Sequence, residues 1–212
     1  RRKRRLEQLT VADFIAEEVI ENIERAKSVL RSGECFYEPH DYIHASNIVR
    51  RALDVISVAH FPTEIYFDDV DYKIKMTFEN IYSLARDEER NPFLGILRDE
   101  VLPRVLPDIP PVVGISVSFI PQMVSGYTLA RLIKSASPKT HVVMGGGAII
   151  SAEERIRRRP EAFEWADSYV FGEGESALKK LIEIIESDFT VENDMNKLCL
   201  KSEASARRDT RT

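Results

Sequence analysis

Cysteine is scarce in this 212-residue chain, and its scarcity excludes several kinds of site. The two cysteines, Cys35 and Cys199, lie far apart in the sequence. Such a pair gives neither the disulfide framework of a small secreted domain nor the ligand spacing of a zinc site. An iron–sulfur cluster is excluded as well, because its cysteines follow one another at short intervals. We therefore expect a reducing, cytoplasmic compartment.

The sequence also lacks long apolar runs and a strong net charge. No run approaches the roughly 20 residues of a membrane span, and no apolar segment of a secretory signal follows the basic start. The net charge of −5 gives no overall attraction to nucleic acid, so we expect neither a membrane nor a nucleic-acid partner. Arg1–Arg5 is a local exception. It is typical of a nuclear address or a nucleic-acid contact, but we favour a solvated terminus.

What is present is the composition of a folded protein. Hydrophobic residues make up 43%, which is too many for a disordered chain. The region 1–108 is predicted to be mainly helical, with a short strand at Thr63–Phe67. The periodicity places its helices at Thr10–Leu30, Asp41–Ala59, Ile74–Ala85 and from Asn91 to about Val101.

The pattern changes at Pro110-Pro111, where apolar runs begin to alternate with amphipathic segments. The runs are Val112–Ser118, His141–Met144 and Tyr169–Phe171, and the segments are Gln122–Lys134, Ala152–Arg158 and Ala177–Ile185. This alternation predicts βαβ units with a parallel sheet over 109–190. A polar, mobile tail is expected over 191–212.

Ligands of parallel α/β sheets lie beyond the carboxyl ends of the strands. Here that rule selects 116–121, 145–150 and 172–176. Gly145, Gly146 and Gly147 directly follow a strand, and three residues without side chains form a flat surface that accepts a planar group. A tight turn, needing one positive φ, is the alternative. Ser116 and Ser118 point to the same side of their strand and bring two hydroxyls to its end.

The segment from Gly172 to Ala177 matches GxGxxA, a relaxed dinucleotide fingerprint. It follows the last strand rather than the first, and Glu173 and Glu175 would repel a phosphate. Carboxylates at the start of a helix are stabilised by its dipole. The segment therefore favours a ligand bearing amides and hydroxyls, with a charged helix cap as the alternative.

No catalytic constellation is evident in the sequence. The four histidines are His40, His44, His60 and His141, and none stands in an HExxH motif. His141 begins its strand, about 13 Å from the expected binding edge. We interpret all four as structural or exposed.

Together these segments resemble the cobalamin-binding domain of cobalamin-dependent radical S-adenosylmethionine enzymes. The resemblance covers about residues 25 to 187. Its most specific part is Gly172-Glu173-Gly174-Glu175 with Asp167 upstream. It is carried by 113–118, Ala130 with Ile133-Lys134, 143–146 and 167–175, and in the N-terminal half by Phe36-Tyr37-Glu38-Pro39, Phe61-Pro62 and Asn91-Pro92-Phe93.

The resemblance implies a Rossmann-like parallel sheet with a helical N-terminal extension, and cobalamin as the cofactor. In the family, the dimethylbenzimidazole-bearing tail is buried between sheet and helices. Ser116 and Ser118 take the serine positions near that tail, and the three glycines take positions where backbone meets it. The candidate cofactor-binding residues are Ser116, Ser118, Phe119, Gln122, Gly145, Gly146, Gly147, Gly172, Glu173, Gly174 and Glu175.

Two departures from the family pattern bear on function. The DxHxxG motif, which supplies a histidine to cobalt in many cobalamin proteins, is missing. The radical domain and its cluster cysteines are missing too, so the chain is expected to be a fragment, a split subunit or a stand-alone relative, and not a complete enzyme by itself.

Three functions stay open at this point. The first is a cobalamin-binding module that serves a radical S-adenosylmethionine methyltransferase, with a separate radical subunit as a partner. The second is a ligand-free interaction domain that retains the fold. The third is a Rossmann-like domain that binds another nucleotide, which the acidic 172–175 segment disfavours. The early part of the sheet is unclear, because only Thr63–Phe67 resembles a strand before Val112.

Overall fold

A computed structural model describes residues 2–107, 110–187 and 198–200, which fall into two units. The first unit contains the described residues up to 75 together with 87–92. The second contains 76–86 and the described residues from 93 onward. Residues 76–86 and 93–107, which belong to the predicted helical region 1–108, thus lie in the second unit with the sheet.

The first unit is built on two helices, α1 (Arg2–Arg31) and α2 (Pro39–Ala59). They pack through a buried cluster of Ala26, Ala45 and Ile48. Alanine at this contact lets the two backbones approach closely. Both predicted helices are confirmed, and α1 begins eight residues earlier than the sequence pattern predicts. A 3-10 turn, Cys35–Tyr37, connects them.

A two-stranded antiparallel ladder completes the first unit. It pairs β1 (Glu64–Ile65) with β2 (Val70–Asp71). The amide of Ile65 donates to Ser57 Oγ at 2.8 Å, which fixes the ladder to α2. The strand predicted at Thr63–Phe67 is therefore real but shorter, and it does not join the parallel sheet.

The second unit begins with short helices and continues as alternating strands and helices. The helices are α3 (Phe78–Ala85), α4 (Leu94–Ile96), a π-helical turn (Leu97–Val101), α5 (Leu102–Val105), α6 (Gln122–Ala136), α7 (Gly147–Ser151), α8 (Glu153–Arg158), a 3-10 turn (Pro160–Phe163) and α9 (Gly174–Ser187). The strands are β3 (Val112–Ser116), β4 (His141–Gly145), β5 (Ser168–Val170) and β6 (Leu198–Leu200).

The sheet has the order β3-β4-β5-β6 among the described strands. Strands β3, β4 and β5 are parallel, and β6 pairs antiparallel with β5. The prediction of an α/β unit with a parallel sheet and helices is confirmed. β6 falls inside the tail predicted to be mobile, and the rest of that tail lies outside the described residues.

A different helix packs against each face of the sheet. On one face α6 packs so closely that a Cβ added to Gly126 would lie 2.8 Å from Val117 Cγ2. On the other face, Ala177 and Leu181 of α9 form a buried cluster with Val143 and Val170. No helix among the described residues is long and apolar enough to span a membrane.

Candidate functional site

The candidate cofactor-binding residues come together at one edge of the sheet. β3 ends at Ser116, opposite Gly145 of β4, and β5 ends two residues before Gly172. Because the three strands are parallel, the loops that follow them emerge at this carboxyl edge. Most of the candidate residues are solvent-exposed here: Ser116, Ser118, Phe119, Gln122, Gly147, Gly172, Glu173 and Glu175, with Gly145, Gly146 and Gly174 half-buried.

The glycine run packs mainly against the chain's own backbone. Gly146 has φ +104°, and a Cβ there would lie 2.5 Å from the carbonyl oxygen of Val117. A Cβ on Gly147 would lie 2.9 Å from the carbonyl oxygen of Ser118. The amide of Ala148 donates to that same Val117 oxygen at 3.0 Å. The lack of side chains at Gly146 and Gly147 thus lets the start of α7 pack against the backbone that follows β3. This packing explains the two glycines without a ligand, and the sequence did not reveal it.

Gln122 stabilises the loop after β3. Its Oε1 accepts from the amides of Ser118 at 2.9 Å and Phe119 at 3.1 Å. Two bonds to one side chain hold the loop backbone in place, which leaves the Phe119 ring 69% exposed. Gln122 is therefore a positioning residue for the loop, and the Phe119 ring is an exposed apolar group at the sheet edge.

The residues that the structure describes leave one part of the sheet uncovered, and sequence reasoning missed it. Gly114 and Ser116 share a face with their partners Val143 and Gly145. Val143 is buried by α9, whereas Gly114 and Ser116 are exposed. A Cβ on Gly114 would meet, among the described residues, only Val143 Cγ1, at 3.9 Å. A glycine inside a β-branched run was the available signal, because such a glycine marks a close approach by another group.

Asp167 and Lys134, which contribute to the family resemblance, form an ion pair at the edge of the sheet where the parallel strands begin. Lys134 Nζ lies 2.8 Å from Asp167 Oδ2 and also donates to the carbonyls of Pro138 and Thr140 at 3.0 Å. The same carboxylate oxygen accepts from the amide of Val142 at 2.8 Å. This arrangement connects the end of α6 to the starts of β4 and β5, so both residues have a structural role here.

Of the four histidines only His141 belongs to the second unit, and it lies at the start of β4 rather than at the carboxyl edge. His40 and His44 are exposed, and His60 Nδ1 bonds to the carbonyl of Glu89 at 2.8 Å. His141 is half-buried at the start of β4, with Nε2 2.8 Å from Ser168 Oγ. Burial lowers the pKa of His141, the nearby Asp167 opposes that shift, and Lys134 adds to it.

The position of His141 predicts a specific loss of stability in mild acid. Its folded pKa lies below the ordinary 6.5, so between those two values the unfolded chain binds the extra proton. Its contribution is fully present above pH 6.5 and is lost as the pH falls toward the folded pKa. We expect the midpoint of thermal unfolding to decrease between pH 7.5 and 5.5, with His141→Gln decreasing less. An equal decrease in both proteins would show that another group is responsible.

No group of His, Cys, Asp or Glu suited to a metal ion occurs within the described part of the chain. Comparison with family models, with curated proteins and with solved structures found no match for this sequence.

Proposed function

We propose that the second unit is a Rossmann-like module that holds cobalamin for a radical S-adenosylmethionine methyltransferase. The observation that carries the proposal is the uncovered part of the sheet face at Gly114 and Ser116. It adjoins the carboxyl edge, where the resemblance places the cofactor. The chain alone would bind and orient the corrinoid, and a separate radical subunit would complete the enzyme.

The residues at this face suit the planar, nucleotide-like tail of the cofactor. Gly114 has no side chain and Ser116 has a small one, so a flat heterocycle can approach the sheet itself. Leu178 and Ile182 of α9, the helix on this face, are each 40% exposed, so α9 keeps apolar surface outside the core. The hydroxyls of Ser116 and Ser118 can donate to and accept from the polar atoms of the tail.

Within this proposal, each part of the edge has a separate task. The loop held by Gln122 presents Phe119 to the apolar part of the ligand, and Glu173 and Glu175 accept from amides or hydroxyls. The chemistry that the bound cofactor supplies in the resembling family is methyl transfer. Because the chain lacks the DxHxxG motif, the resemblance assigns no histidine of this chain to the cofactor's cobalt.

A titration with hydroxocobalamin, followed by gel filtration of the full chain, tests the proposal. We expect the corrinoid to co-elute at micromolar protein with a base-off spectrum. Gly114→Val fills the uncovered face, so we expect it to bind the corrinoid about tenfold more weakly. We expect no loss of stability, because the added Cβ makes only an ordinary contact. Gly95→Val in α4 is the matched control, because a Cβ there meets nothing within 4 Å. Absence of co-elution from the unmodified chain would overturn the proposal.

A ligand-free interaction domain is the second candidate, and a particular observation favours it. Gly146 and Gly147, the residues expected to face the cofactor, are in contact with the backbone of Val117 and Ser118. The sheet, as described, also has only three parallel strands. This candidate predicts that neither the unmodified chain nor Gly114→Val binds the corrinoid.

A further inference from the structure

The connection between α1 and α2 exposes an unusual amount of apolar surface for a short segment. Tyr37 is 78% exposed, Ile43 58%, Phe36 40% and Tyr42 37%. We call these four residues the aromatic knob. Single exposed apolar side chains are ordinary, but four within eight residues, three of them with rings in contact, indicate a binding surface.

Hydrogen bonds and ring contacts link the residues in and beside the aromatic knob. The hydroxyl of Ser32 accepts from the amides of Glu34 at 3.2 Å and Cys35 at 3.1 Å. The ring of Phe36 stands edge-on to Tyr37 and to Tyr42, each with a centroid distance of 5.3 Å. Rings that already pack against one another lose less conformational entropy on binding, which favours a partner at this surface.

The charge around the aromatic knob restricts the partner. Glu34, Glu38 and Asp41 are all exposed, and the sequence from 32 to 49 has no lysine or arginine. The formal charge of this stretch is thus −3 with the histidines neutral; His40 Nδ1 lies 3.5 Å from Asp41 Oδ1, and Arg31 borders the stretch. Such a surface repels nucleic acid and anionic lipid and attracts a cationic segment.

We propose that the aromatic knob docks an arginine-bearing segment of a protein partner. A guanidinium stacks on an aromatic face and forms paired hydrogen bonds with a carboxylate, and the exposed rings of the knob alternate in sequence with the exposed carboxylates Glu34, Glu38 and Asp41. The chain uses the stacking elsewhere, where Arg157 lies 4.7 Å from the ring centroid of Phe171. Lysine has a compact ammonium that stacks less well, so the surface selects arginine over lysine. This proposal is independent of cobalamin, because the knob belongs to the first unit.

Fluorescence polarisation of the full chain with labelled peptides tests the proposal. The probes are oligoarginine, oligolysine and oligoglutamate peptides of about nine residues. We expect oligoarginine to bind roughly fivefold more tightly than oligolysine, and oligoglutamate not to bind. Tyr37→Ala should weaken oligoarginine binding about fivefold, and Glu34→Gln should weaken it to a smaller extent.

Two exposed positions on α1 provide matched controls. Ile20→Ala removes a side chain that is 75% exposed, and Glu17→Gln removes the same charge as Glu34→Gln. Neither should change the affinity for oligoarginine, and all four variants should keep the unfolding midpoint of the parent chain. Equal binding of the arginine and lysine peptides, an equal effect of Glu17→Gln, or no binding would overturn the proposal. A dimer that Tyr37→Ala dissociates would show that a second copy occupies the knob instead.

Discussion

Replacing Gly146 by alanine is expected to lower the free energy of unfolding of the second unit by about 4 kcal/mol, whereas Gly145→Ala should change it by less than about 1 kcal/mol. Gly146 has φ +104°, which costs a residue with a side chain about 1–3 kcal/mol. Its added Cβ would also lie 2.5 Å from a backbone oxygen that cannot rotate away. That overlap adds about 1–3 kcal/mol. A Cβ added to Gly145 would lie 3.6 Å from its nearest neighbour, the carbonyl oxygen of Val170, which is an ordinary contact.

Urea unfolding followed by tryptophan fluorescence measures this difference. Trp165 is the single tryptophan of the chain, lies in the second unit and is buried, so its emission reports on that unit. If Gly146→Ala unfolded at the same urea concentration as Gly145→Ala, the packing of α7 on β3 described above would be wrong.

This prediction also determines how cofactor binding can be tested. A substitution at Gly146 would abolish binding by unfolding the unit, whether or not the glycine contacts a ligand. Gly114 separates the two effects, because it is exposed and its added Cβ meets only Val143 at 3.9 Å among the described residues. Valine there also favours a strand. Loss of corrinoid binding by Gly114→Val at unchanged stability would therefore report on the ligand surface alone.

The positions of the helices and strands were largely predictable, because the sequence patterns that indicate them are local. Apolar residues at helical spacing predicted α2 to within two residues at its start. Short β-branched runs between helices predicted β3, β4 and β5 and their parallel pairing. Helix and strand periodicity depends on neighbouring residues in the sequence, so it can be read without knowing the tertiary contacts.

The roles of individual residues depended on contacts distant in sequence, and here sequence reasoning was incomplete. Gly146 follows a strand whether it faces a ligand or the backbone of Val117, 29 positions earlier, and the sequence does not distinguish the two. Asp167 belongs to a motif, yet its partners Lys134 and Val142 become evident only once β4 and β5 are paired. The ligand roles assigned to the edge residues stay predictions.

Asp167→Ala should be the second most damaging substitution, lowering the free energy of unfolding by about 3 kcal/mol. The side chains of Lys134 and Asp167 are only 22% and 23% exposed, so their interaction is poorly screened by water. Removing the carboxylate leaves the ammonium without its counter-charge and the Val142 amide without its acceptor. Lys134→Met should cost less, about 1–2 kcal/mol, because its methylene chain is kept and Asp167 still accepts from Val142.

The double variant shows whether these two residues act as a pair. If they do, Lys134→Met combined with Asp167→Ala should cost less than the sum of the single substitutions, by about 1 kcal/mol or more. Glu154→Ala is the control, since its ion pair with Arg158 is exposed at both side chains and should contribute nothing measurable. Far-ultraviolet circular dichroism in urea should follow the unfolding, because Trp165 lies too close to Asp167 to be an independent probe. If the two losses in the free energy of unfolding were strictly additive, Asp167 would act through its bond to the Val142 amide alone. In that case Asp167→Asn, which keeps an acceptor oxygen, would be nearly as stable as the parent chain.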